Sequence, residues 1–222
     1  ESRSLLTEAR EFAATRPSPW WGLQYDLVEA RLLSRAGDQD GAQRLLQGVA
    51  AHEMAANRVL QRDLCEARAW VALERGRFGE ARALAAETVA IDLENGERVP
   101  QLRPRLVELV ATVAAGHNVA LCTIADLRAM SRDTGLGTIA QLATRWLYVD
   151  ELTRGWSIDL HMVQPCEVVE CRALDLEIEA FRSRRWGVLL EAASVWAELG
   201  TTIWRARALL WHSELTGSPS PE

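Results

Sequence analysis

The chain has 222 residues, 48 % of them apolar, which supplies an ordinary core and excludes a disordered chain. The formal charge is −6 and all 25 basic residues are arginine; this acidic balance argues against nonspecific nucleic-acid binding, which needs clustered positive charge. No stretch reaches the roughly 18 consecutive apolar residues of a membrane span, and Cys65, Cys122, Cys166 and Cys171 fit no disulfide framework or zinc signature, so they read as reduced thiols of a cytoplasmic protein.

The chain opens Glu1-Ser2-Arg3, without an initiator Met or a signal-peptide pattern, and is expected to be a segment of a longer protein. Apolar periodicity predicts helices over 2–15, 20–36, 40–55, 59–75, 79–95, 101–115, 118–133, 138–154, 166–183, 186–199 and 201–215. Gly37, Gly76, Gly116 and Gly155 recur about 40 residues apart, each after a helical stretch. Two of these turns share a pattern, Gly37-Asp38-Gln39-Asp40-Gly41-Ala42 and Gly76-Arg77-Phe78-Gly79-Glu80-Ala81. Glycine accepts the left-handed conformation that ends a helix. Asp38 or Asp40 caps the next one.

A short turn lays consecutive helices antiparallel, and the small Ala that follows lets them approach closely. Each pair still exposes an apolar side that the next pair must cover. The expected fold is therefore all-α, an α-solenoid of antiparallel helix pairs. Leu102, Leu106, Leu109, Val110 and Val113 form the stripe of the sixth helix, with Pro100 and Pro104 at its entry and in its first turn. In 155–165, Trp156, Ile158, Leu160 and Met162 alternate with polar residues, a strand period in a helical chain; a short irregular helix is preferred there, and the strand stays open. The spacing shifts after this point, so residues 1–216 read as one domain with a phase break near 155–165, and 217–222 as a flexible tail.

The Gly-x-aromatic-x-x-Ala turn at 76–81 resembles the second half of the tetratricopeptide consensus, with Ala69 and Ala81 at its close-packing sites and Ala30 and Ala42 one unit earlier. The resemblance weakens over 100–160, where Leu109 and Leu121 replace the small pair, and returns over 179–211. Phe181 through Trp186, Trp196 through Gly200 and Trp204 through Leu210 resemble the helical arms of MalT/LuxR-type bacterial regulators and related signal-transduction ATPases. The resemblance implies a right-handed superhelix that serves as the sensor or scaffold part of a larger regulator.

No phosphate-binding loop, nucleophile elbow or His-Glu-x-x-His motif is present, and no carboxylate pair stands out as acid and base. Catalytic residues, a metal and a cofactor are therefore not expected. His161, Cys166 and Cys171 lie at five-residue spacings; Pro165 between them favours thiols packed as small apolar groups over a metal site. Trp186, Trp196, Trp204 and Trp211 read as core filling, with an exposed aromatic end open to self-association as the alternative.

In tetratricopeptide arrays the first helix of each pair lines the inner groove. That projection selects Arg31 and Arg35, then Glu66, Trp70 and Glu74, then Arg103 and Val110, then Arg145 and Val149. Such an arginine ladder suits a carboxylate or an acidic peptide; pairing of these arginines with neighbouring glutamates is the plainer alternative. The expected function is a non-catalytic protein- or peptide-binding scaffold, with a small-molecule-sensing arm of a transcriptional regulator as the other reading. No nucleic acid or membrane partner is expected.

Overall fold

The computed structural model describes residues 7–8, 10–11, 15, 18–97, 99–119, 121–156 and 163–217. Among these the protein is all-helical, with no strand. Ten helices follow in order: α1 Trp20–Arg35, α2 Gln39–Ala51, α3 Arg58–Glu74, α4 Phe78–Glu94, α5 Leu102–Ala114, α6 Leu121–Asp133, α7 Gly137–Thr153, α8 Val169–Ser183, α9 Val188–Glu198 and α10 Thr202–Thr216. None of them is long and apolar enough to cross a membrane. The helix expected over 2–15 and the tail beyond Gly217 fall largely outside the described residues. So do 157–162, and with them the choice between helix and strand there. Residues 163–168 are irregular, and the helix expected from 166 begins at Val169. The helix expected over 40–55 ends at Ala51, because His52 turns extended (ψ 144°) and its ring nitrogen caps a short 3-10 turn at Glu53–Ala56.

The four recurring glycines each end a helix in the same way. Gly37, Gly76, Gly116 and Gly155 all have φ between 71° and 87°. At the first, Gly37 N donates to Ser34 O and Asp38 N to Leu33 O; the pairs Gly76/Arg77, Gly116/His117 and Gly155/Trp156 repeat this double closure. This is the Schellman motif, which satisfies the last free carbonyls of a helix. Asp38, rather than Asp40, caps α2, accepting from Gly41 N at 2.8 Å. A Cβ at Gly41 would collide with that carboxylate, which explains the glycine.

Helix α8 breaks the rule. Arg184 follows it at φ 55°, the one non-glycine positive φ among the described residues. The left-handed conformation costs an L-residue about 1 kcal/mol, a penalty glycine avoids. Arg184 has no ion pair among the described residues. Arg184→Gly should therefore raise stability by roughly 0.5–1 kcal/mol. Urea denaturation measures this, and an unchanged midpoint would mean that the flexibility added to the unfolded chain cancels the relief.

The small residues expected at close-packing sites lie inside the core. Ala30, Ala42, Ala69 and Ala81 are completely buried. In chain order α1 packs on α2 and α3, α3 on α4 and α5, α5 on α4 and α7, and α7 on α6 and α8; then α8 packs on α9 and α9 on α10. Helices α1, α3, α5 and α7 thus form a row. One core runs from Ala69 through Leu106, Leu127 and Trp146 to Ala208, and a second joins α1, α2 and α3 around Leu27, Leu46 and Leu64. The four C-terminal tryptophans divide: Trp196 and Trp204 are buried, while Trp186 and Trp211 pack half-buried against Phe181.

Candidate partner-binding face

All nine residues selected for the groove lie on α1, α3, α5 and α7, the helices of the row. The structure separates them into three places.

The lower part of the face is covered by the protein's own C-terminal helices. Arg35, Trp70, Glu74 and Val110 surround a cavity of about 70 Å³ that Glu170 of α8, Trp196 of α9 and Trp204 of α10 close. The turn into α10 lies against the ends of α1 and α3: a Cβ on Gly200 would lie 3.7 Å from the Arg35 carbonyl oxygen, and one on Gly76 would lie 3.1 Å from Ile203 Cδ1. Arg35 bridges Glu74 (3.6 Å) and Glu170 (3.3 Å), tying α1 and α3 to α8. Glu74 is buried, and burial pushes its carboxyl above the usual carboxylate range against the pull of Arg35.

Arg145 and Val149 depart from the expectation of groove-lining residues. Both are 1 % exposed. Arg145 grips Asp175 of α8 through Nε (2.7 Å) and Nη2 (3.1 Å), and donates to Gln164 O and Gln141 Oε1. Packing of α8 on α7 covers the side of α7 that the projection from tetratricopeptide arrays assigned to an open groove, so this arginine staples helices together.

The upper part of the face is open. Arg31, Glu66 and Arg103 meet around a recess of about 120 Å³ with Gln24, Arg62 and Asp63. The two exposed rims are Val28 and Arg103. Arg62 is fully engaged, by Asp92 (3.0 and 3.3 Å), Asp63 (3.0 Å), Glu66 and the Pro100 carbonyl (2.9 Å). Glu66 is buried and paired with Arg62. Arg31 is different. It stacks over the Trp70 ring at 5.1 Å but has no carboxylate within 4.0 Å among the described residues, and neither has Arg103. Burial, with Arg103 and Arg35 nearby, pulls the Arg31 guanidinium down to about 10, against the pull of Glu66.

No protein-family model, curated protein or solved structure matches the chain.

A larger recess, about 810 Å³, opens between α6, α7 and the segment 164–168. Arg128, Arg132, Gln141 and Thr144 line it, with no aromatic ring among the described residues; a closed, aromatic-lined cavity is the feature that would favour a small-molecule-sensing arm. No cluster of three or more metal-ligating side chains occurs among the described residues; His161 lies outside them.

Gln24, Arg62 and Asp63 escape the projection from family geometry. The i, i+4 spacing of Arg62 and Glu66 is a readable signal that Glu66 is already paired. The partners of Arg62 from α4 and from Pro100 are not readable, because they arrive from 30 and 38 positions away.

Proposed function

We propose that this chain is a tetratricopeptide-like α-solenoid of antiparallel helix pairs. We further propose that it binds an acidic segment of another protein at the recess bordered by Arg31 and Arg103, as the interaction arm of a larger regulator. The four identical helix-ending turns and the row α1, α3, α5, α7 support the solenoid reading. The resemblance to regulator arms supports the wider setting.

One observation carries the binding reading. Two guanidinium groups border an open recess with no carboxylate within 4.0 Å of either among the described residues, and one of them is largely stripped of water. A desolvated, unpaired arginine is costly. An incoming carboxylate repays that cost through charge-assisted, bidentate hydrogen bonds. Trp70 beneath Arg31 holds the guanidinium plane in place.

The test uses a fluorescein-labelled Glu-rich peptide and its Gln-substituted counterpart, read by fluorescence anisotropy. The Glu peptide should bind the wild type, and the Gln peptide should bind far less. Arg31→Glu with Arg103→Glu should weaken Glu-peptide binding at least about tenfold, or 1.4 kcal/mol, with circular dichroism unchanged. Equal binding of both peptides, or equal binding by wild type and double variant, would reject the recess as the site.

A further inference from the structure

Cys166 and Cys171 stand five positions apart, and their sulfur atoms lie at 2.8 Å. The local backbone causes this approach. Val168 is extended (φ −70°, ψ 133°), the chain then turns into α8, and Cys171 N donates to Val168 O at 2.9 Å. The first turn of the helix therefore folds back over Cys166. The segment is held on its other side as well: Gln164 accepts from Arg145 through its carbonyl and donates from its N–H to Gln141 Oε1 at 3.0 Å. Arg145 grips α8 through Asp175. The two thiols thus sit in a turn fixed to both α7 and α8.

Their surroundings differ. Cys166 is half-buried and lines the 810 Å³ recess, whereas Cys171 is completely buried. An S–S bond of about 2.0 Å needs a further approach of only about 0.8 Å. Cys65, the remaining thiol whose surroundings are described, is buried on α3 against the Leu84 carbonyl.

We propose that Cys166 and Cys171 form a dithiol site oxidised by peroxides, with Cys166 as the attacking thiol and Cys171 as the resolving one. The Cys166 thiolate attacks an oxygen of the peroxide. The O–O bond breaks, the other oxygen leaves as water or alcohol, and Cys166 becomes a sulfenic acid. Cys171 sulfur then attacks Cys166 sulfur. The S–O bond breaks, the S–S bond forms, and hydroxide leaves with the Cys171 proton as water. Two thiols lose two electrons and the peroxide gains them. The order follows from access and from the proton: burial pushes the Cys171 thiol well above its ordinary range, and Cys171 donates its hydrogen to Cys166. The bridge would fix the wall of the recess to α8.

Both thiols fall in one tryptic peptide, 155–172, because no Lys or Arg divides Arg154 from Arg172. The native protein is treated with hydrogen peroxide, quenched, alkylated with iodoacetamide in urea without reductant, and mapped by mass spectrometry. The peptide should lose two hydrogens and take no alkyl group, Cys65 should be alkylated, and dithiothreitol should restore two alkylation sites in 155–172. In Cys171→Ser the sulfenic acid has no resolving thiol, so dimedone should label Cys166 several-fold more than in the wild type. Full alkylation of both thiols after peroxide, a bridge from Cys166 to another cysteine, or sulfinic acid at Cys166 without a bridge would overturn the assignment. If Cys171→Ser fails to fold, mapping of the wild type decides alone.

Discussion

Arg207→Ala should destabilise the protein by about 3 kcal/mol or more, the usual cost of leaving one member of a buried ion pair alone. Arg207 lies on α10 inside a cage of three indoles: Trp146 at 4.4 Å, Trp211 at 4.6 Å and Trp204 at 5.0 Å from its guanidinium carbon. Its Nη2 donates to Glu177 of α8, which has no solvent exposure. The other Glu177 oxygen accepts from Trp196 Nε1 at 2.9 Å. Without Arg207, the carboxylate keeps the indole N–H as its one partner among the described residues, and three ring faces lose their cation. Urea denaturation of Arg207→Ala and of the double variant Glu177→Gln with Arg207→Met measures the effect. The double variant removes both charges and keeps most of the volume, so it should recover part of the loss. If Arg207→Ala costs under about 1 kcal/mol, the range of exposed pairs, the buried pair is not what holds α8 to α10.

Trp204→Ala should cost about 3–5 kcal/mol, the range for emptying a large aromatic site. Trp204 is 5 % exposed and meets Trp146 edge-on at 4.7 Å and Phe78 in a stacked pair at 6.5 Å. It also closes the small cavity beside Trp70 and Val110. Its loss should therefore leave a hole shaped for an indole. Added indole should stabilise Trp204→Ala by binding the folded state alone, and should leave the wild type unchanged. Trp156→Ala serves as the control: at 58 % exposure its removal should stay within about 0.5 kcal/mol. A Trp204→Ala protein as stable as that control would show that α10 does not depend on this ring.

Local chemistry explains which features were readable. The glycine turns need only φ and two hydrogen bonds within a few residues, so a single sequence carries them, as with Gly37 N closing onto Ser34 O and Asp38 N onto Leu33 O. The close-packing alanines are legible for the same reason, since Ala30 and Ala42 belong to one helix–turn–helix. The covered lower face is not legible. It depends on Trp204 reaching Phe78 and on Ile203 reaching Gly76, contacts that no period in the chain announces. Arg145 illustrates the cost of that gap. The tetratricopeptide resemblance places it beside Arg103 in a groove, but its role is decided by Asp175, 30 positions later.

The stacking of Trp204 on Phe78 also has a consequence for synthesis on the ribosome. Phe78 is made early, and its ring lacks its stacking partner until α10 emerges more than a hundred positions later. At about 5–20 residues per second that wait is on the order of ten seconds. The N-terminal core around Leu27 and Leu46 can close in the meantime, whereas the central one is completed only when the last helix supplies Trp204 and Ala208. The nascent chain is therefore most exposed to wrong partners and to chaperones along α3–α5, during the interval before Trp204 seals it.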